Sequence, residues 1–247
     1  MAARYRGILF DLFGTLITFD PGRLPELRTP AGPVRSTVAA LEGLLAEWAR
    51  DVPAATFWQA LLSVSDEMAR ARAYDHIELP SRERFRRALE RVGCDEATQA
   101  EAAVHLSRAH MAVIVGTTVF PPAHAELLEA LRPRYRLGVV SNFDDTGAAY
   151  DILLRHGIAS RLDAIVVSEA LGLRKPHPAL MRAALRGIGV EAAEAIVVGD
   201  TFREDVAGAR AAGIDAAWID AAGRGVPNGE EAPRWILRTL PELAAIL

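Results

Sequence analysis

Short apolar runs of strand length recur along the chain, once near its amino end and four times in its second half. Each run is apolar throughout, and segments with helical spacing of apolar residues separate the later runs. Fully apolar strands that alternate with helices are typical of a parallel sheet covered by helices on both faces. The pattern therefore predicts an α/β fold with a doubly wound parallel sheet. The predicted strands are 8–10, 137–140, 164–167, 195–198 and 216–219, and the predicted helices lie near 123–132, 146–156, 177–187 and 203–212.

The region between the first and second predicted strands has a different pattern. From about residue 34 to 115, apolar residues recur at three-and-four spacing, which predicts amphipathic helices. Residues 18–33 are rich in proline and glycine, which predicts a linker without regular structure. We therefore expect a core domain formed by residues 1–17 and 119–247, with an all-helical cap domain inserted at 18–118. A last helix is predicted over residues 235–243.

Composition and charge narrow the range of functions. The chain has 247 residues, 51% of them hydrophobic, which is enough for a substantial core. A formal net charge of −4 argues against nucleic acid and anionic membranes as partners and favours a small-molecule substrate. Cys94 is the only cysteine in the sequence, which excludes an internal disulfide and a cysteine-based zinc site. Because no apolar run is long enough for a membrane span or a secretory signal, we expect a cytoplasmic protein.

Polar residues follow the predicted strands where the strands end. Since the carboxyl ends of parallel strands lie along one edge of a sheet, we expect these side chains to converge on one pocket. Aspartate oxygens suit magnesium, whereas hydroxyl groups, backbone N–H groups and a lysine ammonium suit a phosphate or another anion. The residues are Asp11 and Thr15 after the first strand, Ser141 and Asn142 after the second, Lys175 before the helix that follows the third, and Asp200 and Asp205 after the fourth. Gly14 supplies the sharp backbone turn that leaves Asp11 exposed at the strand tip.

Each of these residues also has a structural explanation when it is considered singly. Asp200 suits a helix N-cap, and Asp205 suits the solvated face of a helix. Lys175 suits an ordinary exposed position, while Thr15 and Ser141 suit capping and turn hydrogen bonds. Only the convergence of the whole set favours the chemical interpretation.

The ordered set of a strand-tip aspartate, a serine, a lysine and a final acidic pair resembles the four motifs of the haloacid dehalogenase superfamily. The resemblance covers nearly the whole chain and implies a Rossmann-like core with a helical cap. It also implies that Asp11 is a nucleophile that forms an aspartyl intermediate, and that Mg²⁺ is the cofactor. The implied metal ligands are Asp11, the Phe13 backbone carbonyl, Asp200 and Asp205; the implied catalytic partners are Thr15, Ser141 and Lys175; Asn142 and Gly14 are the implied substrate-binding residues.

Phe13 departs from the pattern of phosphatases in this superfamily, which carry a second aspartate two residues after the nucleophile. That aspartate protonates the leaving group, and Phe13 cannot transfer a proton. General acid–base help is typically worth about 10²–10⁴-fold in rate, so we expect slow turnover unless the leaving group is good or another acid substitutes. Asp20, Asp144 and Asp145 are candidate substitutes, although each also suits an ordinary turn position.

Three functions stay open at this point. The acidic pair favours a Mg²⁺-dependent phosphatase that acts on a small phosphorylated metabolite. Phe13 favours a metal-independent 2-haloacid dehalogenase, because those enzymes have an aromatic residue there and a halide leaves without a proton. The third function is ligand binding without turnover.

The second motif, residues 141–144, is most similar to that of the rhythmically-expressed-gene-2-like members, which also lack the second aspartate. That similarity implies no particular substrate. Candidates for substrate contact in the cap are Arg23, Arg35, Trp58, Tyr74, Asp75 and His76, although helix packing and solvation explain each of them equally well.

Overall fold

A six-stranded parallel sheet lies at the centre of the computed structural model, which describes residues 4–29 and 32–247. The described residues form β1 (Gly7–Phe10), β2 (Thr18–Phe19), β3 (Glu26–Thr29), β4 (Gly32–Arg35), β5 (Thr118–Val119), β6 (Arg136–Ser141), β7 (Ala164–Val167), β8 (Ala195–Gly199), β9 (Asp215–Ile219) and β10 (Trp235–Leu237). The strand order in the sheet is β10-β9-β8-β1-β6-β7. Phe10 at the end of β1 is level with Val139 of β6 and Val198 of β8, so the three central strands end at one edge. The five predicted strands are confirmed.

Helices cover both faces of this sheet. The helices of the described ranges are α1 (Glu42–Trp48), α2 (Ala54–Asp75), α3 (Ser81–Arg91), α4 (Glu96–Thr117), α5 (Pro122–Leu131), α6 (Thr146–Arg155), α7 (Ser168–Leu171), α8 (Pro178–Ile188) and α9 (Ala207–Ala211). Helices α5, α6, α8 and α9 are the ones that pack on the strands. Because side chains alternate along a strand, Ile8 and Phe10 pack with α5 and α6, whereas Leu9 packs with α8 and α9. The predicted α/β fold is therefore confirmed. None of the helices in the described ranges is long and apolar enough to cross a membrane.

Helices α1 to α4 lie between β2 and β5 and bury a hydrophobic cluster of their own. Phe57, Phe85, Leu89 and Leu106 are fully buried within it. The two chain segments that lead into and out of this region run side by side, since β2 and β5 pair as an antiparallel ribbon. The pairing supports the predicted domain limits near residues 18 and 118, which stay a prediction.

The expectation of an irregular linker over residues 18–33 is wrong, apart from residues 30 and 31, which lie outside the described ranges. Strands β3 and β4 form an antiparallel hairpin in which Leu27 pairs with Val34. Pro33 is tolerated because both strands of a two-stranded ribbon are edge strands and need not donate every N–H. The inserted region is therefore not entirely helical.

The carboxyl-terminal helix predicted over residues 235–243 is also wrong. Trp235, Ile236 and Leu237 instead form β10, which pairs in parallel with β9 and completes the sheet. A 3₁₀ segment, Leu240–Ala245, follows it and buries Leu240 and Leu243. A short apolar run has no period that distinguishes a strand from a buried helical turn, which explains the error.

Candidate active site

Three of the predicted residues meet at the carboxyl edge of the sheet. The Lys175 ammonium lies 2.6 Å from Oδ1 of Asp11 and 2.6 Å from Oδ1 of Asp205. Asp11 is fixed at the tip of β1 because its backbone N–H donates to the Val198 carbonyl of β8 at 2.9 Å. The Lys175 side chain is 1% exposed, so the alternative of an ordinary surface lysine does not hold.

Two glycines give the acidic side chains the space that they occupy. A Cβ atom on Gly14 would overlap the Asp200 carboxylate, and a Cβ atom on Gly199 would overlap the Asp205 carboxylate. Gly14 also has a φ of +82°, a left-handed conformation that favours glycine. Its N–H donates to the Ile17 carbonyl at 2.8 Å, so the structure gives Gly14 a role in building the site. Substrate contact by Gly14 stays a prediction.

The carboxylates of Asp11, Asp200 and Asp205 form one cluster, in which the nearest oxygens lie within 4.8 Å of one another. Thr201 holds the cluster from one side, because its N–H donates to Asp205 at 2.9 Å and its hydroxyl donates to Asp200 at 3.2 Å. When all are ionised, three carboxylates face a single ammonium. The excess of negative charge and the oxygen donors fit a divalent cation of the hard type.

The titration of these groups reflects the same imbalance of charge. Burial raises the pKa of the Asp11 carboxyl to about 7; the Lys175 ammonium opposes the shift, and Asp205 adds to it. Burial also raises the pKa of Asp205 against the opposing effect of Lys175, and burial together with Asp205 raises the pKa of Asp200. Burial opposes the charged form of Lys175, but the attraction of Asp11 and Asp205 outweighs it and the Lys175 pKa is raised. A bound cation would favour the ionised carboxylates.

Two buried hydroxyl groups near the ends of β1 and β6 have no hydrogen-bond partner within the described part of the chain. They belong to Thr15, which is 1% exposed, and to Ser141, which is fully buried. A buried polar group without a partner costs about 1–3 kcal/mol, so a ligand that supplies acceptors would recover this loss. Both residues were predicted to anchor an anionic group, and their unpaired hydroxyls fit that role.

Asn142 contacts Lys175 through both ends of its amide. Its Oδ1 accepts a hydrogen bond from the Lys175 backbone N–H at 2.7 Å, and its Nδ2 donates to the Lys175 carbonyl at 3.1 Å. The pair of bonds holds the backbone from which the ammonium reaches Asp11. Substrate binding by Asn142 stays a prediction, and the geometry adds a positioning role that the sequence did not indicate.

Phe13 is part of an aromatic cluster beside the strand tips. Its ring stacks on Phe19 with centroids 5.2 Å apart and planes within 2°, and it meets Phe143 at 4.7 Å and 55°. Phe19 belongs to β2, and Phe143 follows the end of β6, far from Phe13 along the chain, so no local pattern could have joined the three rings. The three rings are apolar, and none of them can donate a proton.

The three candidate replacements for the missing acid have structural roles. Asp20 accepts a backbone hydrogen bond at the start of a 3₁₀ turn, and Asp145 does the same in the first turn of α6. Asp144 lies 3.5 Å from Arg72 and 4.0 Å from Arg84, which hold its carboxylate in an ion-pair network. These contacts give all three a structural role, a cap for Asp20 and Asp145 and an ion pair for Asp144.

Sequence reasoning missed Glu78, a buried carboxylate in the loop between α2 and α3. It accepts a hydrogen bond from Ser168 at 2.8 Å and lies 3.1 Å from Arg72 and 3.5 Å from Arg174. Burial raises its pKa, and the two guanidinium groups oppose the shift. The loop also forms a β-bridge between Ile77 and the segment that precedes Lys175. An acidic residue in a loop gives no local signal of such burial.

The parallel sheet and the carboxylate–lysine cluster at its edge define a class of α/β proteins that bind ligands at their strand tips. The chain belongs to the haloacid dehalogenase-like hydrolase family, whose model matches residues 5–213. The superfamily resemblance drawn from the four motifs is thus confirmed, whereas the closer similarity to one group of members stays a prediction.

Two relatives of established name show partial similarity. The chain is 37% identical over 142 residues to the phosphoserine phosphatase of Thermus thermophilus, covering 57% of this chain and 55% of that protein. It is 43% identical over 121 residues to the phosphoglycolate phosphatase of Rhodospirillum rubrum, covering 49% of each. The chain thus aligns with about half the length of these relatives.

Solved structures match over nearly the whole chain. A 2-haloacid dehalogenase from Pseudomonas syringae superposes with a TM-score of 0.73 and 27% identity, covering 98% of this chain and 97% of that one. A HAD phosphatase from Thermococcus onnurineus gives a TM-score of 0.63 and 22% identity, covering 98% and 97%. The second similarity supports the fold alone.

Proposed function

We propose that the protein is a Mg²⁺-dependent hydrolase of small phosphorylated metabolites that uses Asp11 as its nucleophile. The observation that carries this proposal is the convergence of Asp11, Asp200 and Asp205 on one another beside Lys175. Three carboxylates with one ammonium suit a site that is completed by a divalent cation and an anionic substrate. The names of the phosphoserine and phosphoglycolate phosphatases add support.

Each side chain of the site has a separate role in the proposed reaction. Lys175 binds Oδ1 of Asp11, which leaves Oδ2 to attack phosphorus. The bond from phosphorus to the leaving oxygen breaks, the leaving group takes the electron pair, and Asp11 becomes an acyl phosphate. Water then attacks that phosphorus and gives up a proton to the solvent, the bond from phosphorus to Oδ2 breaks, and its electron pair restores the Asp11 carboxylate as inorganic phosphate leaves. Thr15 and Ser141 would donate their unpaired hydroxyls to the phosphoryl oxygens.

Asp11, Asp200 and Asp205, with the Phe13 carbonyl, are the residues that would hold Mg²⁺. The ion would neutralise phosphoryl oxygens and lower the electrostatic barrier between two anions. Phe13 supplies no proton, so the site favours leaving groups that are stable as anions. Acyl phosphates and aryl phosphates meet this condition, whereas simple alkyl phosphates do not.

Turnover of acetyl phosphate and p-nitrophenyl phosphate tests the proposal. We expect hydrolysis with Mg²⁺, loss of hydrolysis with EDTA and its recovery when Mg²⁺ is restored. The Asp11→Asn variant should lose activity while its unfolding temperature remains close to that of the wild type. Equal rates in the Asp11→Asn variant, or no turnover of any phosphorylated compound, would refute the proposed nucleophile.

A second candidate function is the metal-independent dehalogenation of 2-haloacids. Phe13 favours it, since a halide leaves without a proton, and so does the 27% identity to the Pseudomonas syringae enzyme. The pair Asp200 and Asp205 opposes it, because without a cation only Lys175 compensates three carboxylates. Release of chloride from 2-chloropropionate in the presence of EDTA would favour this function over the phosphatase.

A further inference from the structure

The loop between α2 and α3 is attached to the core directly beside Lys175. The Glu78 N–H donates to the Gly172 carbonyl at 3.0 Å. The Arg174 N–H donates to the His76 carbonyl at 2.9 Å, and an antiparallel β-bridge lies between these two bonds. The inserted region thus has a second attachment to the core, in addition to the β2–β5 ribbon, and this one is made to the segment that leads into Lys175.

The side chain of Glu78 also reaches the loop that follows β6. Its Oε2 accepts a hydrogen bond from the Ser168 hydroxyl at 2.8 Å, and the Ser168 oxygen accepts one from the Phe143 N–H at 2.8 Å. A hydroxyl group donates and accepts at once, so the two bonds strengthen each other. Phe143 directly follows Asn142, whose amide holds the Lys175 backbone. The carboxylate therefore supports one of the two groups that locate Lys175.

The same carboxylate acts on the Lys175 segment through Arg174. Arg174 directly precedes Lys175, and its guanidinium lies 3.5 Å from Glu78 and 3.1 Å from Glu204. Glu204 in turn precedes Asp205, which contacts the Lys175 ammonium at 2.6 Å. Arg174 thus joins the α2–α3 loop to the segment that receives the ammonium. Contacts from Glu78 reach both the backbone of Lys175 and the position of its partner.

The choice of a carboxylate at this junction indicates a role in geometry. The Glu78 side chain is 1% exposed, and its Oε1 lies 3.1 Å from the Arg72 guanidinium without a well-aligned hydrogen bond in the described part of the chain. Apolar residues of similar volume often stabilise a buried site as well as an ion pair does. Ion pairs and hydrogen bonds, however, require defined distances and angles, which apolar packing does not. A buried carboxylate is therefore suited to fixing the relative position of the segments around it.

We propose that Glu78 is a positioning residue, which holds Lys175 beside the Asp11 nucleophile from within the inserted region. It acts through Ser168 and Arg174 and touches neither the substrate nor the reacting atoms. The consequence for turnover rests on the proposed function, whereas the position of the ammonium does not. The inserted region is then part of the structure that orders the catalytic residues.

Lys175 is the only lysine in the sequence, so its surroundings can be measured without turnover. Protein labelled with ¹³C at the lysine Cε gives a single lysine side-chain resonance in the NMR spectrum. We expect Glu78→Ala to move this resonance away from its wild-type position. Glu78→Gln retains an acceptor for Ser168 and should recover part of the wild-type position. Ser168→Ala should move the resonance in the same direction as Glu78→Ala, although it leaves the buried carboxylate in place.

Phe57→Ala is the control for a loss of stability alone. It opens a cavity in the hydrophobic cluster of the inserted region, near the opposite end of α2 from Arg72 and about 22 Å from it along the helix axis. At a temperature at which this variant is folded, its lysine resonance should keep the wild-type position. Equal shifts in Phe57→Ala and Glu78→Ala, or an unchanged resonance in Glu78→Ala, would overturn the positioning role. If Glu78→Ala does not fold, an unchanged resonance in Ser168→Ala would overturn it.

Steady-state hydrolysis of acetyl phosphate measures the effect on the reaction. We expect Glu78→Ala to lower kcat by about tenfold or more, the usual effect of losing a group that orients a catalytic partner, with a smaller change in KM. Glu78→Gln should recover part of this loss, and Phe57→Ala should retain most of the wild-type kcat. A change in KM with kcat unaltered would contradict the role of Glu78. A displaced lysine resonance in Glu78→Ala, together with no turnover by the wild type, would refute the proposed function and leave the positioning role intact.

Discussion

The amide of Asn142 binds the backbone of Lys175 at both its N–H and its carbonyl, at 2.7 and 3.1 Å. Lys175 in turn reaches Asp11 with its ammonium at 2.6 Å. The end of β6 thus determines where the cation beside the nucleophile is located. Because the two bonds come from one planar group, a shorter side chain cannot replace them.

Replacement of Asn142 by Ala should therefore lower kcat by about 10–100-fold, the usual effect of losing a group that orients a metal-site or catalytic partner. Steady-state hydrolysis of acetyl phosphate measures this change. Asn142→Ala in the Lys175→Met background is the control, since a residue that acts through Lys175 has little further effect once the ammonium is gone. Equal losses in both backgrounds would contradict the positioning role.

Stability should depend on pH and Mg²⁺ together. The pKa of Asp11 is raised by folding to about 7, so the protonated carboxyl is favoured in the folded protein. The stability that Asp11 contributes is complete below its ordinary pKa and is lost as the pH rises through about 7. Mg²⁺ binds the ionised form, and its stabilising effect should therefore be larger at about pH 8 than at about pH 6.

Thermal unfolding with Mg²⁺ or EDTA at the two pH values measures this effect. The Asp11→Asn variant is the control, because its amide does not titrate. If Mg²⁺ raises the Tm of the wild type equally at both pH values, the result would contradict a cation at these carboxylates.

A proton donor at position 13 should broaden the range of leaving groups. In Phe13→Asp we expect hydrolysis of an alkyl phosphate such as glycerol phosphate to rise by about tenfold or more, within the range of general acid catalysis. Hydrolysis of p-nitrophenyl phosphate should change much less, since its leaving group needs no proton. Phe13→Leu is the matched control, and a similar gain in that variant would attribute the effect to space and not to proton transfer.

Glu78 should stabilise the contact between the α2–α3 loop and the core. Glu78→Ala leaves a cavity and removes the acceptor shared by Arg72 and Arg174 in a buried setting, and we expect the free energy of unfolding to fall by about 3 kcal/mol. Urea denaturation measures it. Glu67→Ala removes an exposed ion pair with Arg91 and should have a much smaller effect. Similar effects in the two variants would mean that burial of Glu78 adds no stability.

The strand tips could be predicted from the sequence because each rests on a local pattern, an apolar run followed by Asp11, Ser141 or Asp200. The topology of a parallel sheet then brings the tips together without knowledge of any other contact. Lys175 lies at the same edge, in the segment that precedes α8. The family could be recognised for this reason, since its motifs are tied to the ends of strands.

Contacts between residues distant in sequence could not be predicted. Glu78 meets Ser168 across the junction of two regions, and Asn142 meets the backbone of Lys175, which no pattern in either segment indicates. The β3–β4 hairpin was missed because proline, which usually interrupts a strand, is tolerated in an edge strand. Strand β10 was missed because a short apolar run does not distinguish a strand from a buried helical turn. In each case the contact that determines the local structure comes from another strand or loop.

The antiparallel pairing of Thr18 with Val119 has a consequence for how such a protein can change. The region between them leaves the β2–β5 ribbon and returns to it at one point, so its replacement by a longer or shorter segment would alter loop-closure entropy only slowly with length. Asp11 and Asp200 lie outside that region. A lineage could therefore exchange the whole inserted region while Asp11 and Asp200 stay in place, and a protein engineer could attempt the same graft at Thr18 and Val119.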